Sequence, residues 1–292
     1  MFIRAPPQRF LRLKIFVFLS AICIFSLAGT YMFASYIDTA SKNNNYLTLG
    51  FHHVYVVSER THESRRREMA RLMRFQGILF GFYPATSPHD IDNPDSYTHW
   101  VGEDHWARPM ANHTEPSELL AHFRTHMNII NDVVRLQLPS ALVLADDVDL
   151  ELDVKQQMHA IVETLPTTWE ILFLAHCGPP ETLLPSLPSS HDRLFVASGT
   201  PACSFAYALT YQAAYRLRRV LNNMWPSPQK SFDHVLGDMI RPLYIEAYAI
   251  EPPLVAKAAA AAAAPAHSQS ESSPPPLYSL RNSTLIRLGH MI

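Results

Sequence analysis

Cysteine is scarce in this chain, 3 residues in 292, which excludes a framework of several disulfides. Cys23 falls inside an apolar run. Cys177 and Cys203 remain, as two buried thiols or as one pair that an oxidising compartment would let bridge. Net charge is also close to absent, −2 at pH 7, so the global balance gives no reason to expect a nucleic-acid partner. Histidine is plentiful at 15 but scattered, and no pair has the H-E-x-x-H spacing of a zinc hydrolase. The sequence contains no G-x-S-x-G elbow, which argues against a serine hydrolase, and no internal repeat.

What is present is apolar bulk. Hydrophobic residues make up 48%, enough for a sizeable core in one large domain with or without appendages. From Ile15 to Ala34 the chain carries no charge, a run that matches the ~20 residues a membrane-spanning helix needs. Arg4, Arg9, Arg12 and Lys14 precede it, and Asp38 and Lys42 follow. The positive-inside rule places residues 1–14 in the cytosol and the remainder on the lumenal side, as in a single-pass type II membrane protein. A cleaved signal peptide, cut at Ala28-Gly29-Thr30 or Ala34-Ser35, is the rival reading, and the length of the run favours an uncleaved anchor. Either reading sends the main domain into the secretory lumen, with the Golgi or the ER as its address. The sequons Asn112-His113-Thr114 and Asn282-Ser283-Thr284 agree with that address.

Past the anchor, residues 35–50 are polar and read as a stem. His53-Val54-Tyr55-Val56-Val57-Ser58 has the β-branched and aromatic content of a buried strand. Glu63 to Phe75 is basic, with Met69, Leu72, Met73 and Phe75 as the apolar positions of a helix. Ile78 to Tyr83 reads as a second strand. Residues 86–116, with Trp100 and Trp106, read as a long loop of the kind that often carries function. A helix is expected over Glu118–Leu136, and strands over Ala141–Leu144, Trp169–Leu174 and Phe205–Leu209. Further helices are expected over Val154–Thr164 and Tyr211–Asn222. This alternation predicts an α/β domain over 51–256, a largely parallel sheet flanked by helices. After it, 257–276 is rich in Ala, Ser and Pro and reads as a linker or insert, followed by a C-terminal segment, 277–292.

The richest chemistry lies at the end of one strand. The apolar run Ala141-Leu142-Val143-Leu144-Ala145 stops at Asp146 and Asp147, with Asp149 close behind. Clustered carboxylates repel and raise one another's pKa, an objection that a divalent cation removes. Mg²⁺ and Mn²⁺ take carboxylate oxygens and often hold substrate phosphates with their remaining positions. Ligands of open α/β sheets also bind at the carboxyl ends of strands. A metal–nucleotide site is one reading of this stretch, and an acidic loop capping the next segment is the other.

Seven segments taken in order extend the first reading. Val54-Tyr55-Val56-Val57, followed by Ser64-Arg65-Arg66-Arg67-Glu68-Met69, is a strand leading into an R-R-x-x-M helix. Then come Ala121-His122-Phe123-Arg124-Thr125-His126, Leu142-Val143-Leu144-Ala145-Asp146-Asp147 and Trp169-Glu170-Ile171-Leu172-Phe173-Leu174. Ala206-Tyr207-Ala208-Leu209 with Ala213-Ala214, Ser231-Phe232-Asp233, and Glu251-Pro252-Pro253-Leu254-Val255 complete the series. In this order they resemble the strand–R-R-x-x-M, G-C-x-x-S-H, L-x-L-E-D-D, W-D-I-x-x-L, A-Y-x-x-S…A, P-x-D and P-x-L-V segments of glycosyltransferase family 25. That family includes lipopolysaccharide and collagen galactosyltransferases, and the wording here is most similar to fungal members. Three positions depart from the pattern. Ala145 stands for the acidic residue before the two aspartates, His122 stands for the cysteine of G-C-x-x-S-H, and a glutamine that often follows P-x-L-V is replaced near Lys257.

The resemblance implies a GT-A-like nucleotide-sugar transferase fold and a metal-dependent transfer of a hexose, galactose by preference. The donor would be a UDP-sugar, the acceptor a hydroxyl of a glycan or glycoprotein, and the transfer inverting. It implies Mn²⁺ or Mg²⁺ held by Asp147, with Asp149 in place of the group missing at Ala145, and Asp146 on the ribose or sugar. Asp233 would act as general base, with a helix N-cap as its structural alternative and Asp238 as the fallback. Val57 and Ser58 would meet the nucleotide through the backbone. Arg65 would be the one arginine of Arg65-Arg66-Arg67 to reach the diphosphate. His126 would be a site residue or a core histidine, and Trp100 and Trp106 would stack on an acceptor or pin the loop. The same departures admit a second function, an inactive relative that serves as a lumenal binding or scaffold protein.

Overall fold

The structure is a computed structural model. It describes residues 46–92, 116–175, 183–185, 194–197, 204–224, 230–242, 244–258, 280 and 283–289. The expected anchor at 15–34, the Cys177 and Cys203 pair, Trp100, Trp106 and both sequon asparagines lie outside these residues. Among the described residues no helix is long and apolar enough to cross a membrane. The chain divides into two units, Met1–Tyr46 and Leu47–Ile292, and the architecture below is that of the second.

Among the described residues the second unit is built on an eight-stranded sheet with order β2-β1-β3-β8-β5-β9-β7-β6. Its strands are β1 (His53–Ser58), β2 (Gly81–Pro84), β3 (Ser140–Ala145), β5 (Ile171–Phe173), β6 (Leu183–Pro185), β7 (Leu194–Ala197), β8 (Ala206–Thr210) and β9 (Ala247–Ile250). β1 pairs in parallel with β2 and β3, and β5 with β9. β8 runs against both of its neighbours, β3 and β5, and β7 runs against β9 and β6. The sheet is thus mixed and mostly parallel, all strands except β7 and β8 pointing one way. Phe205–Leu209 was legible as a buried strand, but an apolar run of that length has no mark of direction.

Helices cover both faces. On one face lie α1 (Glu63–Gln76) and α4 (Val154–Thr164). On the other lie α3 (Ser117–Arg135), α5 (Tyr211–Met224) and α6 (Phe232–Ile240), with the short α2 (Pro88–Asp92) beside α3. The strand period of two divides β3 between the cores. Leu142 and Leu144 pack toward α1 and α4, while Ala141 and Val143 pack toward α3 and α5. α1 buries Met69, Leu72, Met73 and Gln76, and ends at Gly77. Gly77 adopts φ 61°, and its N–H closes onto the Arg74 and Met73 carbonyls. The left-handed residue that ends a helix in this way is usually glycine.

Two small elements matter more for the site. Directly after Asp146 and Asp147, β4 (Val148–Leu150) pairs antiparallel with β10 (Val255–Lys257) in register Val255↔Leu150, Ala256↔Asp149, Lys257↔Val148. Lys257, at the boundary read between domain and linker, is therefore the last residue of a strand. A one-turn helix, α7 (Thr284–Arg287), lies against β4, where Thr284 is fully buried and its hydroxyl meets Gln76 Nε2 at 2.7 Å.

Candidate active site

The site grows from the register of β1 and β3. Val57 pairs with Ala145, so the next residues, Ser58 and Asp146, emerge side by side at the carboxyl edge of the sheet. Ser58 is buried and its Oγ donates to Asp146 Oδ2 at 2.6 Å. Arg65, in the first turn of α1, brings Nη1 to 3.7 Å from Asp146 Oδ1, and His62 Nδ1 lies 3.9 Å from Oδ2. The Asp146 side chain is 8% exposed, whereas Arg65 is 52% exposed. Asp146 is thus a sheltered carboxylate fixed by a hydroxyl and a guanidinium whose outer face is open. Val57 pairs on both sides, with Tyr83 and Ala145, and its side chain joins the core under α3. It frames this edge and presents no side chain there.

Asp147 is more exposed, and its Oδ1 meets Lys257 Nζ at 2.5 Å. The main chain reinforces the pair, with Ala258 N–H donating to the Asp147 carbonyl at 2.8 Å. Lys257 Nζ also sits 5.3 Å from the centroid of the Phe205 ring, a distance at which the ring face attracts a cation. Asp149, expected beside Asp147 as a second ligand, is instead buried and turned to α7. Its carboxylate accepts from Ser283 Oγ, from Leu285 N–H at 3.1 Å and from Leu150 N–H at 2.8 Å. Burial pushes its carboxyl up, and these hydrogen bonds pull it back. The physical reason is β4 itself: once Val148–Leu150 is a strand paired to β10, Asp149 belongs to the sheet ribbon and not to the turn.

A second group stands next to the acidic edge. His122 and His126 lie one turn apart on α3, with their Nε2 atoms 3.2 Å apart. His126 Nδ1 is 2.9 Å from the Tyr207 hydroxyl, His122 Nε2 is 3.3 Å from Ser204 Oγ, and Phe232 stacks flat on His126 at 4.4 Å. Burial drives His126 well below the ordinary histidine value, helped by His122, and drives the Tyr207 phenol up, helped by Asp233. His126, expected as a site residue, is therefore a neutral core group that supports His122. His122 keeps open surface while protein crowds its ring, the condition of a cleft wall. Crowding lowers its pKa, Asp233 raises it and Lys257 lowers it. These influences put Asp233, His122 and Lys257 in one electrostatic neighbourhood.

Asp233 sits in the first turn of α6. The helix is capped by Ser231, whose Oγ accepts from His234 N–H, so capping does not account for Asp233. Its Oδ1 is buried and has no hydrogen-bond partner among the described residues. Such a group costs about 1–3 kcal/mol, and an uncompensated polar atom of this kind points to a ligand or a chemical role. Asp238, the fallback, lies on the outer face of α6, ion-paired to Lys230 at 2.5 Å, which lowers its pKa. Arg67 pairs with Glu63, and Arg66 lies 4.3 Å over the Phe82 ring, which leaves Arg65 as the arginine of the three on the carboxylates.

The donor set does not fit a divalent ion. Among the described residues no three His, Cys, Asp or Glu side chains converge to hold one. Ala145 supplies no donor, Asp149 is engaged with α7, and Asp146 and Asp147 each face a cationic side chain. Three residues now stand out that had no assigned role, Lys257, His122 and Ser204. The signal for the first two was visible, since both fall at departures from the family pattern.

Comparison with known proteins gives the class of the protein. The chain is a glycosyltransferase: residues 51–182 match the model described as Glycosyltransferase family 25 (LPS biosynthesis protein). The match spans less than half of the chain, and the matched residues include β1, α1, both histidines of α3 and all three aspartates. No curated protein matches the chain. A crystal structure of a glycosyltransferase involved in the glycosylation of the major capsid of PBCV-1 is similar at TM-score 0.36 and 11% identity. That alignment covers 64% of this chain and 72% of the other. A mannose-1-phosphate geranyltransferase from Thermus thermophilus is similar at TM-score 0.33 and 13% identity, covering 72% and 62%. Mouse xyloside xylosyltransferase 1, apo form, follows at TM-score 0.23 and 14% identity, covering 63% and 66%.

Proposed function

We propose that the chain moves a hexose, galactose by preference, from a UDP-sugar to a hydroxyl of a glycan or glycoprotein, with inversion at the anomeric carbon, on a GT-A-like fold. The observation that carries this reading is the pairing of two unlike halves at one sheet edge. A cation-flanked pair of carboxylates, Asp146 and Asp147, suits a nucleotide diphosphate and ribose. Beside it stands Asp233, a carboxylate with a buried oxygen that has no partner among the described residues, which suits a general base. In the step itself the acceptor oxygen bonds to the anomeric carbon, and the bond from that carbon to the diphosphate breaks. The hydroxyl proton passes to Asp233, and UDP leaves with the electron pair. Asp146 binds a donor hydroxyl, Ser58 fixes Asp146, and neutral His122 lines the acceptor side.

A donor screen on the full-length chain, followed by UDP release with candidate glycan acceptors, tests this. UDP-galactose should give the largest release. Absence of release with every UDP-sugar, and the same blank from Asp233→Asn, would sink the reading. The uncharged run at 15–34 supports a type II membrane protein with its catalytic domain in the Golgi or ER lumen. An amidase that removes N-glycans should then lower the apparent mass of the protein from cells, and the double variant Asn112→Gln, Asn282→Gln should abolish the shift.

A further inference from the structure

The metal expected from the family pattern and the side chains at the site disagree, and the disagreement has a definite form. The position opposite Asp147 is held by an ammonium. We propose that Lys257, together with Arg65, does the work of the divalent ion in this chain, so that the donor diphosphate is bound and its departure stabilised without a metal. This rests on the nucleotide-sugar reading above.

Three observations carry it. First, Lys257 is delivered by structure and not by chance contact. The β4–β10 register pairs it with Val148, and the Ala258 to Asp147 main-chain bond and the Phe205 ring hold it from two further sides. Second, the charges match. Asp146 and Asp147 contribute two negative charges and Arg65 and Lys257 two positive ones, the same sum that one divalent ion would give on the same carboxylates. Third, donor capacity remains. An ammonium has three N–H groups and a guanidinium five, and each cation here is about half exposed, with one carboxylate partner on this edge. When the bond to the anomeric carbon breaks, the charge that develops on the departing phosphate oxygen lies against these donors, as charge-assisted hydrogen bonds require.

The test is calorimetric titration of UDP into the full-length chain, once with EDTA and once with excess Mn²⁺. The affinities should agree within about threefold, since removal of no ligand-bound ion is involved. Lys257→Ala should weaken UDP at least ~10-fold in both buffers, and Lys257→Arg should stay within about threefold of the parent. Circular dichroism of each variant should be unchanged, because Lys257 is half exposed. UDP binding that disappears in EDTA and returns with Mn²⁺ would overturn the proposal while leaving the nucleotide reading intact, as would an unchanged affinity in Lys257→Ala. Silence in both buffers would overturn the nucleotide reading and the proposal with it.

Discussion

Asp233 joins two properties, a site at the start of a helix and a buried oxygen with no partner among the described residues. Its replacement by Asn keeps the shape and removes the basicity. Asp233→Asn should therefore lower kcat by ~100-fold or more, the usual worth of a positioned general base, with little change in the UDP affinity measured by titration. Ser58→Ala acts on the other half of the site. Asp146 loses its 2.6 Å hydroxyl donor, and UDP binding should weaken by roughly fivefold, the worth of one net hydrogen bond, with kcat largely retained. Individual residues were unevenly legible. The aspartates announced themselves by ending an apolar strand, and Arg65 by opening the next helix after β1. Lys257 did not, because its partner Asp147 is 110 positions away and only the β4–β10 ribbon brings the two together.

At the level of elements, long periodic segments were readable and short ones were not. α1, α3 and α5 show their buried stripes in sequence, and β1 and β3 their strand composition. β4 and β10 are three residues each, too short for a period of two to appear. That gap hid the contacts of Asp149, expected at the metal, whose carboxylate here docks α7 onto β4. The distinction is measurable. Asp149→Ala should lower stability by about 1–3 kcal/mol through the loss of its buried hydrogen bonds, seen as a lower Tm, while UDP affinity stays unchanged. A residue that served the donor would show the reverse pattern.

For the molecule as a whole, the histidine pair of α3 ties stability to pH. Both His122 and His126 are held below the ordinary value of ~6.5, so the unfolded chain takes up protons before the folded one does. Stability should thus be full above that pH and fall as acid carries the solution below it, and Tm recorded across this window should drop with it. His126→Gln keeps a polar group next to Tyr207 but cannot titrate, and its Tm should depend on pH less steeply.

One consequence of the ribbon concerns chain length. Ala256 pairs with Asp149, and Ser283 bonds to the same residue, so everything from Lys257 to Asn282 begins and ends at one aspartate. The free energy of closing such a ring rises only with the logarithm of its length, about 0.6 kcal/mol per doubling. The alanine run can therefore gain or lose residues at small cost. Removal of 259–264 should leave Tm within a few degrees of the parent, at about 1 kcal/mol or less. The ring also fixes what a single cut would do. Cleavage between these two points would turn α7 from a tethered neighbour into a separate peptide, retained only as far as its own concentration and contacts allow.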